Sequence, residues 1–199
     1  MKRLFAIIAV LATCAFQMSA QQDSFDKMLS ALSAQSASFE YSFSTNASIK
    51  MTGSGKVLVQ DTCFKVEGNG LEIWSDGESI WTIDRAGKEG IIEDVSDSSM
   101  DMANPAQFLA SAKTAFTRQL TTSSMVVLVP KAKSEIKQIK LYIKDGENPI
   151  LTKVVATTSD GTDTEFTIKN MKYSKKQSVE SFVFDMKTLS SDFIITDLR

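Results

Sequence analysis

Phe39-Glu40-Tyr41-Ser42-Phe43-Ser44 alternates aromatic and polar side chains, the period of a β-strand with one covered face and one wet face. Just before it the period differs. Asp23 precedes Phe25, Met28, Leu29 and Leu32, spaced i, i+3, i+4, i+7, which predicts a helix over 24–36 with one apolar stripe behind an Asp cap. Such a helix needs an apolar surface to lie on, and the one-sided strand that follows offers it.

Downstream the alternation repeats between turn residues. Gly53-Ser54-Gly55 reads as a turn into a strand over 56–60, and Gly68-Asn69-Gly70 separates strands over 64–66 and 71–74. Within 71–81, Asp76-Gly77 supplies the positive φ angles of a type I′ turn. That sets Ile73 opposite Ile80 and Trp74 opposite Ser79, with Trp81 diagonal to Trp74. After a polar stretch over 96–101, Asn104-Pro105-Ala106-Gln107 offers a cap residue, Pro at the first helical position and Gln three after the cap. A second helix is expected there, its stripe formed by Phe108, Leu109, Ala112 and Phe116. Strands follow over 125–129, 136–143, 150–158, 165–169 and 182–184, with turns at Asp145-Gly146 and Asp160-Gly161. The fold class expected is α+β, mainly β: a strongly curved antiparallel half-barrel sheet with helices covering its concave apolar face.

Composition narrows the function. The chain has 199 residues, 43% hydrophobic and 23% charged, enough for one domain with its own core. Its 22 Lys and Arg against 24 Asp and Glu leave no basic excess for a phosphate backbone, so nucleic acid is not an expected partner. There is no histidine, which removes imidazole-based nucleophile pairs, the common general base and the usual imidazole zinc sets. No cofactor or metal is expected and the chain does not read as an enzyme. Asp84, Glu93, Asp94, Asp97 and Asp101 read as solvated loop acids rather than a carboxylate pair. The lysine-rich 131–140 reads as the exposed side of a strand.

Residues 1–20 combine Lys2 and Arg3, an apolar run over 4–12 and Ser19-Ala20, the layout of a cleaved secretory leader. The expected division is a signal peptide over 1–20 and a single domain over 21–199, exported to the periplasm. Loss of the leader takes Cys14 with it and leaves Cys63, flanked by Thr62 and Phe64, as a small buried filler without a disulfide partner.

The order of these features resembles the periplasmic outer-membrane lipoprotein carriers, the LolA-like family. The resemblance rests on the opening helix leading into Ser38-Phe39-Glu40-Tyr41-Ser42-Phe43, on Gly55-Lys56-Val57-Leu58-Val59, and on Ser75-Asp76-Gly77 followed by Trp81. It continues through Asn104-Pro105-Ala106-Gln107-Phe108-Leu109, the stretch 126–130, and Phe182-Val183-Phe184-Asp185 with Asp197 beyond. It implies an unclosed half-barrel with a hydrophobic cavity under helical lids. It also implies an acylated lipoprotein or lipid cargo, an inner-membrane donor complex, an outer-membrane acceptor and a monomeric carrier. Where the better-known members carry Arg-Pro after the strand matching 55–60, this chain has Gln60-Asp61-Thr62, so the family's Arg latch is not carried over.

A lipid chain in water costs roughly 0.8 kcal/mol per methylene, so a carrier needs a hollow apolar face. The candidate lining is Phe39, Tyr41, Phe43, Val57, Val59, Trp74, Trp81, Ile83, Leu141, Ile143 and Phe166, with Phe108 and Leu109 on the lid. The same alternation also fits an envelope β-domain with a filled core that acts as a protein-interaction module; internal volume separates the two.

Overall fold

The computed structural model describes residues 23–95 and 114–199. The leader, the predicted second helix and with it Phe108 and Leu109 lie outside the described residues. Helix α1 (Ser24–Ala34) begins where the Asp23 carboxylate accepts a hydrogen bond from the Asp26 N–H at 2.9 Å. It buries Phe25, Met28 and Leu29, as its spacing predicts. At Gln35 the backbone turns extended and the chain passes directly into the sheet.

Twelve strands follow among the described residues: β1 (Ser36–Thr45), β2 (Thr52–Gln60), β3 (Cys63–Gly68), β4 (Leu71–Ser75), β5 (Ser79–Asp84), β6 (Glu89–Asp94), β7 (Phe116–Thr121), β8 (Met125–Pro130), β9 (Ile136–Lys144), β10 (Ile150–Thr158), β11 (Asp163–Ser174) and β12 (Ile194–Asp197). They form one open sheet in the order β12-β6-β5-β4-β3-β2-β1-β11-β10-β9-β8-β7. Two antiparallel meanders, β1 to β6 and β7 to β11, thus meet edge to edge where β1 pairs with β11. A sheet this wide curls as its strands twist. One apolar cluster accordingly runs from Phe116 on β7 to Ile80 on β5, with α1 packed into it.

The two faces differ along the centre of the sheet. On the α1 side, Ala37, Phe39 and Tyr41 are buried. The outer side carries alternating charge across β11, β1, β2 and β3, because Lys169 pairs with Glu40, Glu40 with Lys56 and Lys56 with Glu67. Farther along, the outer side is covered. After β11 the chain crosses it as a strap of two short 3₁₀ helices (Val179–Phe182 and Met186–Thr188) and returns as β12, parallel to β6. Gln60 anchors the start of the strap: its amide donates to the Gln177 carbonyl at 2.9 Å and its oxygen accepts the Gln177 N–H at 2.8 Å.

Several expectations are corrected. Gly53-Ser54-Gly55 lies inside β2 rather than in a turn. The rings of Phe43 and Tyr41 on β1 lie over these glycines: a Cβ on Gly53 would collide with the Phe43 ring, and one on Gly55 would come within 2.8 Å of Tyr41 Cε1. The 71–81 hairpin is two residues out of the expected register, with Trp74 opposite Trp81 and Ser75 opposite Ile80. Asp76 widens the turn by accepting both the Glu78 and Ser79 N–H groups at 2.9 Å, while Gly77 keeps its φ of +96°. Residues 182–184 are not a strand, since Phe182 ends a 3₁₀ helix in the strap. Phe116 opens β7 instead of closing a helical stripe, and Glu93 and Asp94 sit in β6 rather than a loop. Of the lysine-rich stretch only Lys137 and Lys140 are on a strand; Lys131 and Lys133 lie in the loop before β9.

Candidate functional site: an apolar face and the pocket at its loop end

Strand alternation sends every second side chain of β1, β2, β9, β10 and β11 to the α1 side. Seven of the candidate lining residues meet there: Phe39, Tyr41, Val57, Val59, Leu141, Ile143 and Phe166 are all buried in the cluster that holds Phe25, Met28 and Leu29 of α1. Phe43, partly buried, packs on its margin. The register sets Phe39 against Val57, Phe43 against Phe166 and Leu141 against Val154, and the Phe43 and Phe166 ring centroids are 5.6 Å apart. Val95, just after β6, and Ala115, just before β7, are partly buried and pack on the same cluster.

The other three candidates lie elsewhere. Because Trp74 pairs directly with Trp81, both point away from Ile73 and Ile80, which belong to the α1 side. Trp81 and Ile83 are buried with Ile92 and Phe184, and Trp74, Met186, Leu189 and Phe193 pack around them under the strap. Trp74 meets Phe184 edge-on with centroids 5.3 Å apart, and the Lys65 ammonium sits 3.8 Å from the Trp74 ring centroid. Burial there pushes the Lys65 pKa down. The expected single lining is therefore divided between two faces by strand alternation itself, which puts Trp74, Trp81 and Ile83 on the other face from Ile73 and Ile80.

The α1 face ends in an opening. Beyond the Phe43 and Phe166 pair, the next inward residues are Thr45 and Thr164, again opposite each other. They form the floor of an open pocket of about 820 Å³ between three loops, lined also by Ala47, Met51, Thr158 and Thr162, with Lys133, Glu135 and Asp160 at its rim. The volume falls within the range of small-molecule sites, about 300–1,000 Å³. Its walls are held by loop-base hydrogen bonds. Thr45 N–H donates to the Met51 carbonyl at 3.0 Å, Met51 N–H to Thr45 Oγ1 at 2.9 Å, and Asp163 N–H to Asn46 Oδ1 at 2.7 Å. Asp160 accepts Thr158 Oγ1 at 2.5 Å and the Thr162 N–H at 3.0 Å, bonds that hold its carboxyl below the usual range. The sequence reading missed this pocket. Its one local sign was Ala47 and Met51 in a loop; the rest comes from two segments more than eighty residues further along the chain.

Two further groups bear on the chemistry. Cys63 is buried as a filler, its thiol donating to the Asp76 carbonyl at 3.1 Å; burial, and then the Asp76 and Asp61 charges, push its pKa up, away from the thiolate. Asp61 stands at φ +50° in the β2–β3 turn and pairs with Lys176 at 2.5 Å. Among the described residues no group of His, Cys, Asp and Glu is arranged to hold a metal, and no helix is long and apolar enough to cross a membrane.

An open β-sheet with a helix on its apolar face and a pocket at the end of that face has the architecture of a binding fold. Residues 63–185 match the family described as outer membrane lipoprotein carrier protein LolA, more than half the chain, and the protein belongs to that family. Among solved structures, an uncharacterized conserved protein from Thermus thermophilus aligns over 90% of this chain and 99% of its own at 14% identity, TM-score 0.51. A DUF1329 family protein from Desulfovibrio piger aligns over 84% and 98% at 12% identity, TM-score 0.50. A LolA superfamily protein from Nitrosomonas europaea aligns over 81% and 96% at 12% identity, TM-score 0.48. At these identities the likeness speaks for the fold alone. No curated protein sequence matches the chain.

Proposed function

We propose that the protein is a non-enzymatic periplasmic carrier that shields the acyl chains of lipoproteins, or of another lipidated cargo, against its α1 face and delivers them towards the outer membrane. The observation that carries this reading is the continuity of the apolar face through Phe43 and Phe166 into the open pocket of about 820 Å³. An acyl chain passing the pocket's threonines, Ala47 and Met51 to the Phe43 and Phe166 rings exchanges water for aromatic and aliphatic walls at roughly 0.8 kcal/mol per methylene. Among the described residues the buried wall carries no charged anchor, so release breaks no ion pair.

The rest of the expected picture belongs to the proposal: cleavage of the leader, one monomeric domain over 21–199, a membrane donor and acceptor, and Phe108 and Leu109 as cargo contacts. Leu141 and Ile139 are fully covered. A chain reaches them when α1, which packs in the same cluster, yields, so cargo is taken in stages, first at Thr45, Met51 and Thr164 and then along the face.

A filled interaction domain is the second reading, and the full burial of Leu141 and Ile139 is what favours it. Native mass spectrometry of protein purified from its own cell envelope, together with titration of a fluorescent fatty-acid probe, separates the two. A co-purifying acylated species and saturable probe binding support the carrier; neither would leave the interaction domain.

A further inference from the structure

The loop between β1 and β2, residues 46–51, forms one wall of the pocket and carries the most exposed large apolar side chain among those described, Ile49 at 81%, with Met51 at 58%. Isolated apolar side chains on a surface are ordinary; two on one projecting tip at a pocket mouth are not. The tip is not a loose segment. Its base is clamped by the two hydrogen bonds between Thr45 and Met51, and Asn46 is bonded to Asp163 through both its N–H and its side-chain oxygen. The side chains are therefore presented outward by a braced stem.

We propose that this loop is a membrane-docking tip, with Ile49 and Met51 entering the headgroup and acyl boundary of a lipid bilayer and so placing the pocket mouth against the membrane. The inference rests on the carrier reading, since it supplies the dry path along which an acyl chain could pass. Three features select a bilayer. The tip holds two strongly exposed apolar side chains, Ile49 and Met51, that a lipid phase can cover without a shaped protein partner. Lys50 lies between the two apolar residues and Lys133 stands on the facing loop, so each long stem can lie along lipid while its ammonium reaches headgroup phosphates. The nearer acids are restrained: Asp160 is engaged by Thr158 and Thr162, Asp163 accepts the Thr157 hydroxyl at 2.7 Å, and Glu165 pairs with Lys153. Glu135 also lines the pocket and its charge offsets that of Lys133, so the apolar pair supplies most of the attraction and anionic lipid adds a smaller share.

The test is partitioning of the leader-free protein onto vesicles of phosphatidylethanolamine and phosphatidylglycerol, measured by flotation, in parallel with fatty-acid probe titration in solution. Ile49→Ser, at a tip residue that does not line the pocket, should weaken vesicle partitioning by roughly tenfold, about 1.4 kcal/mol, and leave probe affinity unchanged. Ile194→Ser, at an exposed apolar position on β12, should leave both unchanged. Vesicle partitioning that is absent in the wild type, survives Ile49→Ser, or is lost on Ile194→Ser instead would overturn the docking tip. Loop-dependent vesicle binding by a protein that takes up no probe would uphold the tip and sink the carrier reading.

Discussion

Arg118 on edge strand β7 binds Asp26 in the first turn of α1, its Nη2 at 2.5 Å from Asp26 Oδ1, and its Nη1 also reaches Asp23 Oδ2 at 2.7 Å. The guanidinium lies 4.7 Å from the Phe25 ring centroid as well. One arginine thus ties the start of the helix to the sheet, with Ser24 Oγ donating to Asp145 Oδ1 at 2.8 Å as a second tie on the β9–β10 loop.

If cargo reaches the covered face by displacing α1, loosening that tie should ease entry. Arg118→Ala should lower stability by about 1 kcal/mol, since the pair is partly exposed and screened. Apparent affinity for a fatty-acid probe should rise, because the receptive conformer gains population. Urea unfolding and probe titration read the two effects. Unchanged or weaker probe binding would show that α1 does not gate the face.

The division of the aromatic residues between two faces gives a paired test. Ile83→Ala, in the cluster under the strap, should cost about 2–5 kcal/mol of stability with unaltered probe affinity. Phe43→Ala, partly buried beside the pocket, should cost less stability and weaken probe binding severalfold. The reverse pattern would move the cargo site to the strap side.

Asp61 occupies a left-handed turn position, at φ +50°. Asp61→Ala should cost about 1 kcal/mol through backbone strain, and Asp61→Asn, which tolerates that conformation, should cost less. Probe affinity should stay within twofold for both. A tenfold loss shared by the two variants would reveal a gating role for the Asp61 and Lys176 pair.

Tyr173 donates its hydroxyl to the Pro149 carbonyl at 2.6 Å, and burial pushes its pKa up to about 12. The folded state therefore favours the protonated phenol. Its contribution is intact below the ordinary tyrosine value near 10 and is lost as pH rises from about 10 to 12, where only the unfolded chain ionises readily. Absorbance titration should show one tyrosine ionising late, and Tyr173→Phe should flatten the fall in stability over that window. A Tyr173 that titrates with the free phenol value would contradict the buried hydrogen bond.

What the sequence discloses depends on how local the cause is. The α1 stripe follows from spacing within eleven residues, and the ends of β10 at Ile150 and Thr158 coincide with the alternating run. The hairpin is two residues out of the expected register because two side-chain acceptor bonds from Asp76 set its loop length; an even shift keeps Trp74 and Trp81 on one face, and which face the strap covers is set by contacts more than a hundred residues away. Phe182 and Phe184 keep a strand-like alternation inside a segment that merely crosses a sheet. The glycines of β2 looked like a turn because the rings that cover them belong to another strand.

The strap imposes a sequence of events on folding. Strands β1 to β6 are joined by short local turns, whereas β12 is separated from its partner β6 by roughly a hundred residues, a closure that is slow compared with hairpin formation. Until Phe182 and Phe184 have settled over the outer side and Ile194 has paired with Glu89, β6 offers a bare row of amides and carbonyls to any other extended chain. The strap is therefore a late guard, and protection against aggregation arrives with β12 rather than with the core.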